Sequence, residues 1–300
     1  MVPAGPSLKG YRGIGAGDGE NTMDESGVNV TEVPRQGVGR SAGVSLILIP
    51  LVIVIIWLLE NYLLAGNTRL FRQASLAGLA IYTVIGVILI GIIVPVVRIR
   101  AAFLSGAVNM FQIGFWPLRR TVAAVGLTAV AGYAAFAFLG MSGHWGIDRL
   151  NGAVLFILML PTAIAAVMIC WVLVGTHVQA YVRSGGAVVS VFTGVLLTAL
   201  VFAISMTVLF AGAGFREMVI QFFAAGCVAA LFFFAVRDVW ATIIVVTFSL
   251  VVLENSRIDP VYLVPFSPVV ALCGILSAGV LVGVHWHFSR HYTTVLLPGK

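Results

Sequence analysis

The sequence predicts an all-α, polytopic integral membrane protein, a helical bundle of about eight transmembrane helices. Hydrophobic residues make up 60% of the 300 residues and charged residues only 9%, whereas an ordinary soluble domain is about 25% charged. The mean hydropathy is +1.08, and apolar runs recur from Gly43 to the C-terminal end. Because a soluble fold needs more charge to cover its surface, this composition excludes soluble enzymes and nucleic-acid-binding proteins.

The first 42 residues differ from the rest. They are rich in Gly, Pro, Ser, Asp and Glu and lack apolar periodicity, which predicts a disordered cytoplasmic N-terminal tail over residues 1–42. No short apolar core follows a basic start, as a signal peptide requires. Met23 follows Gly17-Asp18-Gly19-Glu20, whose purine-rich codons resemble a prokaryotic ribosome-binding site. We therefore hypothesise that synthesis starts at Met23 and that residues 1–22 are an over-called gene start, which the intact mass of the native protein tests.

The remaining residues, 43–300, form the predicted transmembrane domain. About 20 helical residues cross a hydrocarbon layer of roughly 30 Å, and the apolar runs reach about that length. They are continuously apolar and do not alternate as the strands of a membrane barrel do. The predicted spans are 43–65, 75–97, 121–140, 151–175, 187–211, 218–236, 239–254 and 267–289.

Two segments leave the span assignment open. Residues 101–118 are moderately apolar, have arginines at both ends and carry apolar residues at every fourth position, which predicts an amphipathic helix in the membrane interface. A spanning segment or a re-entrant hairpin is the alternative. Residues 218–254 are interrupted only by Arg237-Asp238, and a single helix of that length would far exceed the bilayer, so we expect a tight hairpin that turns at this pair.

Orientation follows from the basic residues, which cytoplasmic connections carry in excess. Thirteen of the 17 basic residues follow Ala42, almost all of them between the apolar runs. With eight spans, placing both termini in the cytoplasm puts eight of the thirteen inside and five outside. We therefore expect a multi-pass protein of the plasma membrane with cytoplasmic N- and C-termini.

Small residues recur at helical spacing in two spans. Close backbone approach drives helix association in lipid, so such stripes predict helix-packing faces, with a substrate path as the alternative. The predicted packing residues are Gly186, Ser190, Gly194 and Thr198 in the fifth span and Gly279 and Gly283 in the eighth.

Three histidines at the cytoplasmic face form a candidate metal or haem site. His287 and His291 continue the spacing of Gly279 and Gly283, and His177 ends the fourth span. Imidazole nitrogens ligate both metals and haem. Interfacial anchoring of these side chains is the alternative, and His285 is expected to point elsewhere.

Two Glu-Asn pairs at the outer face form a second candidate site. Glu60 and Asn61 end the first span, and Glu254 and Asn255 end the seventh. If the two helices are neighbours, these oxygens would coordinate a cation or bind a polar substrate. The alternative is surface ion pairing with nearby arginines such as Arg69.

The functional expectation rests largely on missing chemistry. No charged residue falls near the centre of a predicted span, which disfavours proton-coupled carriers, and no G-x-x-x-x-G-K-[ST] motif is present. We expect no catalytic residues and a permease- or channel-like subunit for a neutral or weakly polar solute, embedded in the lipid bilayer as a possible homo- or hetero-oligomer. The alternatives are a membrane redox or metal protein that uses the histidines, and a structural or assembly subunit of a membrane complex.

Overall fold

A computed structural model describes residues 40–67, 76–105, 108, 110–141, 149–210, 215–255 and 267–292. Within these ranges every regular element is a helix, as the all-α prediction requires. The predicted tail at 1–42 lies almost wholly outside the described residues.

Eight long helical rods and one short helix make up the described chain. Two rods, α2 and α5, are composite: α2 joins Leu76–Ile81, the π-helical Tyr82–Ile93 and Val94–Leu104, and α5 joins Arg149–Ala166, the π-helical Val167–Gly175 and Thr176–Tyr181. The others are α1 (Arg40–Asn67), α3 (Met110–Ile113), α4 (Leu118–Met141), α6 (Ala187–Leu209), α7 (Phe215–Val236), α8 (Val239–Asn255) and α9 (Pro268–Tyr292).

Five of these helices are long and apolar enough to cross a membrane. They are Ala77–Leu104 in α2, Gly152–Gly185 in and just beyond α5, Ala187–Leu209, Arg216–Val236 and Pro268–Arg290. Two shorter apolar helices are Ile47–Leu63 and Val239–Leu253. The outward surface is also apolar, with Val188 82% and Leu127 75% exposed. A large exposed apolar surface is typical of a protein surrounded by lipid.

The centre of the bundle is α5. Every residue from Pro161 to His177 is buried, which is expected of a helix that is apolar on all sides. It packs against α1, α2, α6, α8 and α9. At Gly91 of α2 the two backbones approach so closely that an added Cβ would lie 2.7 Å from the Cβ of Ala165.

The predicted hairpin within 218–254 is confirmed. Helix α7 ends at Val236 and α8 begins at Val239, so the turn consists of Arg237 and Asp238. Arg237 has a φ of 55°, which places its backbone in the left-handed region that a tight reversal needs.

The described residues of the predicted amphipathic segment, 101–118, do not form one continuous helix. Residues up to Leu104 complete α2, α3 has only four residues, and the chain is irregular from Gly114 to Pro117. Hydrogen bonds to the α7–α8 turn compete with a continuous helix: the Val239 amide donates to the Gly114 carbonyl at 3.1 Å, and Trp116 Nε1 donates to the Arg237 carbonyl. Gly114 and Trp116 are therefore held against this turn, and the place of the segment in a membrane interface stays a prediction.

Candidate functional site

Three polar side chains lie on one buried face of α1. Trp57, Glu60 and Asn61 are spaced at i, i+3 and i+4, which places them side by side on the helix. Trp57 and Asn61 are fully buried, at 0% exposure, whereas the neighbouring Leu59 and Tyr62 are more than half exposed. We call these three residues the α1 polar face. It looks into the bundle, and the apolar neighbours look outward.

The α1 polar face has no hydrogen-bond partners among the described residues. Nine buried side-chain nitrogen and oxygen atoms are unpartnered there, and five of them belong to this face: Trp57 Nε1, both Glu60 carboxylate oxygens, and the amide nitrogen and oxygen of Asn61. Each buried polar group without a partner costs about 1–3 kcal/mol. Five such atoms on about one helical turn are an unusual concentration, which water or another polar group would satisfy.

A glycine on α2 makes room for the Glu60 carboxylate. A Cβ added at Gly86 would overlap the Glu60 Oε1 atom and come within 2.8 Å of Cδ. Any larger residue at position 86 would therefore displace the carboxylate. The close approach fixes Glu60 between α1 and the π-helical part of α2, and π-helical turns are frequent at functional sites.

A hydroxyl pair extends the polar surroundings towards α5. The Tyr82 hydroxyl donates to Thr162 Oγ1 at 3.3 Å, and both residues are buried. Tyr82 also lies close enough to Glu60 for a charge on the carboxylate to act on it. Glu60 lies about 10 Å from the end of α1, since each helical residue adds about 1.5 Å. The site is thus within the bundle, about two turns from one end.

The structure does not assemble the predicted outer-face site as a whole. Helix α1 packs mainly against α2, α5 and α6, and α8 is not among its main neighbours in the described chain. The pairing of Glu60-Asn61 with Glu254-Asn255 requires those two helices to be adjacent, and the contacts among the described residues do not bring them together. The side chains of Glu254 and Asn255, and the whole of Arg69, lie outside the described residues.

The predicted histidine trio is not assembled as a metal site within the described chain. His177 is buried, and its Nδ1 lies 2.7 Å from the Leu173 carbonyl of its own helix. His287 is exposed and packs edge-on against Phe288, with ring centroids 6.1 Å apart. The side chain of His291 is not described. Among the described side chains, no three of His, Cys, Asp and Glu lie close enough to hold a metal ion.

The histidine expected to point elsewhere, His285, is instead the buried one on α9. Its Nδ1 accepts a hydrogen bond from Trp240 Nε1 at 3.2 Å, and Asp238 lies near enough to interact with it electrostatically. Asp238 is fully buried: one oxygen accepts from Thr121 Oγ1 at 3.0 Å and the other from the Ala241 amide at 2.9 Å. We call Asp238, Thr121, Trp240 and His285 the Asp238 cluster.

Electrostatics at the α7–α8 turn are set by burial. Burial raises the pKa of the Asp238 carboxyl, and the hydrogen bonds from the Ala241 amide and Thr121 lower it in part. Burial also lowers the pKa of Arg237, whose Nη2 donates to Gln179 Oε1 at 2.9 Å. Because Asp238 caps α8 and accepts a hydrogen bond from Thr121 of α4, the cluster joins these two helices, and His285 Nε2 is left without a hydrogen-bond partner among the described residues.

The small-residue stripe of the fifth predicted span lies largely at helix contacts. Ser190 Oγ donates to the Gln179 carbonyl at 3.1 Å, and a Cβ on Gly194 would lie 3.1 Å from Phe234. Thr198 is fully buried and bonds to the Gly194 carbonyl. Gly186 is different: it is exposed, has a φ of 93° and begins α6, so it serves the turn.

The packing face predicted for α9 is wrong in phase. Gly279 and Gly283 are exposed, and no described atom lies within 4 Å of a Cβ placed on either. The buried face of α9 carries residues with larger side chains, which fill the interior. They are Val270, Cys273, Ser277, Leu281, His285 and Phe288.

Comparison of the chain with protein families, with curated proteins and with solved structures finds no match. Fold and site therefore define the class on their own. The regular elements that the structure describes are all helices, and five of them are long and apolar enough to cross a membrane. The first described helix buries a polar face against the second.

Proposed function

We propose that this chain is a permease-like membrane transport protein that binds a small polar solute at the α1 polar face. One observation carries the proposal: five buried polar atoms on about one turn of α1 have no hydrogen-bond partner within the described chain. A solute with both hydrogen-bond donors and acceptors would satisfy these groups. The Asn61 amide has two N–H donors and an oxygen that accepts up to two hydrogen bonds, whereas Trp57 Nε1 only donates.

The surroundings suit binding of a polar molecule inside an apolar protein. Ligand sites are mostly apolar, with a few polar groups that orient the ligand. Here the apolar surface comes from α2, α5 and α6, and Tyr82 and Thr162 add hydroxyls at one side. Irregular or π-helical backbone at membrane depth is tolerated where it is buried in protein, and both π-helical segments, in α2 and α5, contact α1.

The membrane arrangement is part of the proposal. The eight long helices would cross the plasma membrane, with both chain ends in the cytoplasm. Because consecutive helices run in alternating directions, half of the helix ends lie on the same side of the bundle as the Asp238 cluster. More arginines lie on that side than on the other, which favours its assignment to the cytoplasm. The arginines on that side are Arg98, Arg100, Arg119, Arg120, Arg183, Arg237 and Arg290.

Solute flux in proteoliposomes tests the proposal. Vesicles containing the purified full-length chain are mixed with hyperosmotic glycerol or urea, and re-swelling is followed by stopped-flow light scattering. We expect faster re-swelling than in empty vesicles for at least one solute, and a loss of most of that excess in Asn61→Leu, which removes the amide.

The control variant is Tyr62→Leu, which changes the neighbouring residue on the exposed side of α1. It should keep the rate of the unmodified protein. Rates equal to empty vesicles for both solutes, or equal losses in the two variants, would refute the transport site at the α1 polar face.

A further inference from the structure

The Glu60 carboxylate is isolated from positive charge within the described chain. Both of its oxygens are buried without a hydrogen-bond partner, in the space that the missing side chain of Gly86 on α2 leaves open. Removing an ionised carboxylate from water without a partner is far more costly than burying a neutral group. A carboxyl group in this position therefore needs either a cation or a proton.

The titratable groups on the helices packed against α1 are few. On α2, Tyr82 lies near enough to the carboxylate to interact with it electrostatically, whereas Arg98 and Arg100 are exposed about three or more turns beyond Gly86. On α5, Cys170 and His177 lie about two and about four turns further along the helix than Thr162, and Tyr181 is exposed at its end. Helix α6 has no titratable residue between Ala187 and Leu209. The nearest described group, Tyr82, carries a proton itself and supplies no positive charge.

We propose that Glu60 is a reversible proton-binding site and that a proton bound there moves with the solute. The carboxylate takes up one proton from the solution on one side of the membrane and becomes a neutral carboxylic acid. It releases the same proton on the other side and becomes a carboxylate again, so no bond other than O–H forms or breaks. The coupling rests on the proposed transport function, whereas the proton site itself does not.

This inference revises one expectation drawn from the sequence. The sequence disfavours proton-coupled carriers because no charged residue falls near the centre of a predicted span. The packing of α1 against Gly86 nevertheless buries the Glu60 carboxylate within the bundle. Intramembrane ionisable residues commonly mark proton pathways, and the position along the helix matters less than what surrounds the side chain.

Labelling with dicyclohexylcarbodiimide tests the proton site directly. This apolar reagent adds to protonated carboxyl groups and leaves a stable mass increment on the side chain. The full-length protein in lipid vesicles is treated at a series of pH values and analysed by peptide mass spectrometry. We expect labelling of Glu60 that falls at least severalfold as the pH is raised, and none at position 60 in Glu60→Gln.

Glu217 provides an internal control, since it is exposed at the start of α7 and should stay unlabelled. Gly86→Ala provides a second variant, because the added Cβ displaces the carboxylate and should change the extent of labelling at Glu60. An unlabelled Glu60 at every pH would overturn the proposal. Labelling that is suppressed by sodium or potassium ions and is indifferent to pH would also overturn it, in favour of a metal-cation site.

A second measurement separates this inference from the transport function. Vesicles that contain the pH dye pyranine report proton entry when glycerol or urea is added outside. Labelling of Glu60 without any solute flux refutes transport and leaves the proton site standing. Solute flux that continues in Glu60→Gln without a proton signal, together with an unlabelled Glu60, refutes the proton site and leaves transport standing.

Discussion

The missing side chain of Gly86 on α2 leaves a space between α1 and α2, and the Glu60 carboxylate fills it. A Cβ at position 86 would come within 2.8 Å of the Glu60 Cδ atom. This pair connects local sequence to function, because a single missing side chain on α2 allows a carboxylate on α1 to enter the bundle.

Gly91→Ala on α2 should destabilise the protein despite its gain in helix propensity, because its added Cβ would lie 2.7 Å from the Cβ and 3.0 Å from the backbone Cα of Ala165. Alanine favours a helix by up to about 1 kcal/mol over glycine, but overpacking a close contact costs about 1–3 kcal/mol. Thermal unfolding in detergent should therefore show a lower midpoint than that of the unmodified protein. Gly126→Ala on α4 is the matched control, because nothing lies within 4 Å of its added Cβ and its midpoint should stay or rise. Equal midpoints for the two variants would contradict the close contact.

The buried carboxyl of Asp238 should make stability fall with rising pH. Burial raises its pKa above the ordinary 3.8, so the folded state holds the proton more tightly than the unfolded state does. The ionised form is then disfavoured by folding, and stability declines as the pH rises through and above that ordinary value. Compared with Asp238→Asn, which keeps an acceptor for the Ala241 amide, the unmodified protein should lose stability over this range. A difference that is flat across the range, or of opposite sign, would contradict the effect of burial.

The left-handed backbone at Arg237 predicts an unusual order among substitutions. Both Arg237→Ala and Arg237→Gly lose the hydrogen bond to Gln179, so both should be less stable than the unmodified protein. Glycine adopts a φ of 55° without the steric cost that a Cβ brings. The glycine variant should therefore be more stable than the alanine variant by about 1 kcal/mol, the lower end of the cost of that conformation. The reverse order would show that the turn does not have this geometry.

Gly194 and Gly279 both lie in small-residue stripes, but replacing them with leucine should affect the stability of the protein differently. Gly194→Leu places a side chain against Phe234 and Gln179 and should lower the unfolding midpoint, at a cost of about 1–3 kcal/mol from overpacking. Gly279→Leu should be tolerated, because no described atom lies within 4 Å of a Cβ there. The same thermal assay compares them, and equal destabilisation would show that α9 turns its glycines inward after all.

The sequence was sufficient for the features that follow from hydropathy alone. Long apolar runs predicted the helices, and the polar pair Arg237-Asp238 predicted the turn between α7 and α8, because a charged pair between two apolar runs belongs outside the bilayer. Burial of α5 on all sides likewise reflects its uninterrupted apolar sequence. These features depend on local composition, which a sequence states directly.

Hydropathy could not predict which face of each helix points into the bundle or which helices are neighbours. In lipid the outside and the inside of a bundle are both apolar, so hydropathy does not distinguish Gly279, which is exposed, from Leu281, which is fully buried. The neighbours of α1 depend on the packing of the whole bundle, so the repeated Glu-Asn pattern at Glu60-Asn61 and Glu254-Asn255 could not show whether α1 and α8 are adjacent. The spacing of Trp57 and Asn61 on one helical face was a readable signal for the buried polar surface. Gly86 as its counterpart required the three-dimensional structure.

Infrared spectroscopy of the protein in lipid tests most directly whether the Glu60 carboxyl group is buried and holds a proton. The carbonyl stretching band of a protonated carboxylic acid is recorded from about pH 5 to about pH 9, a range in which an ordinary glutamate, with its pKa near 4.3, is largely or fully ionised. The account predicts a protonated-carboxyl band in the unmodified protein that disappears on titration and is missing from Glu60→Gln. Identical spectra of the two proteins throughout this range would contradict it, because Glu60 would then be ionised like any carboxylate in water.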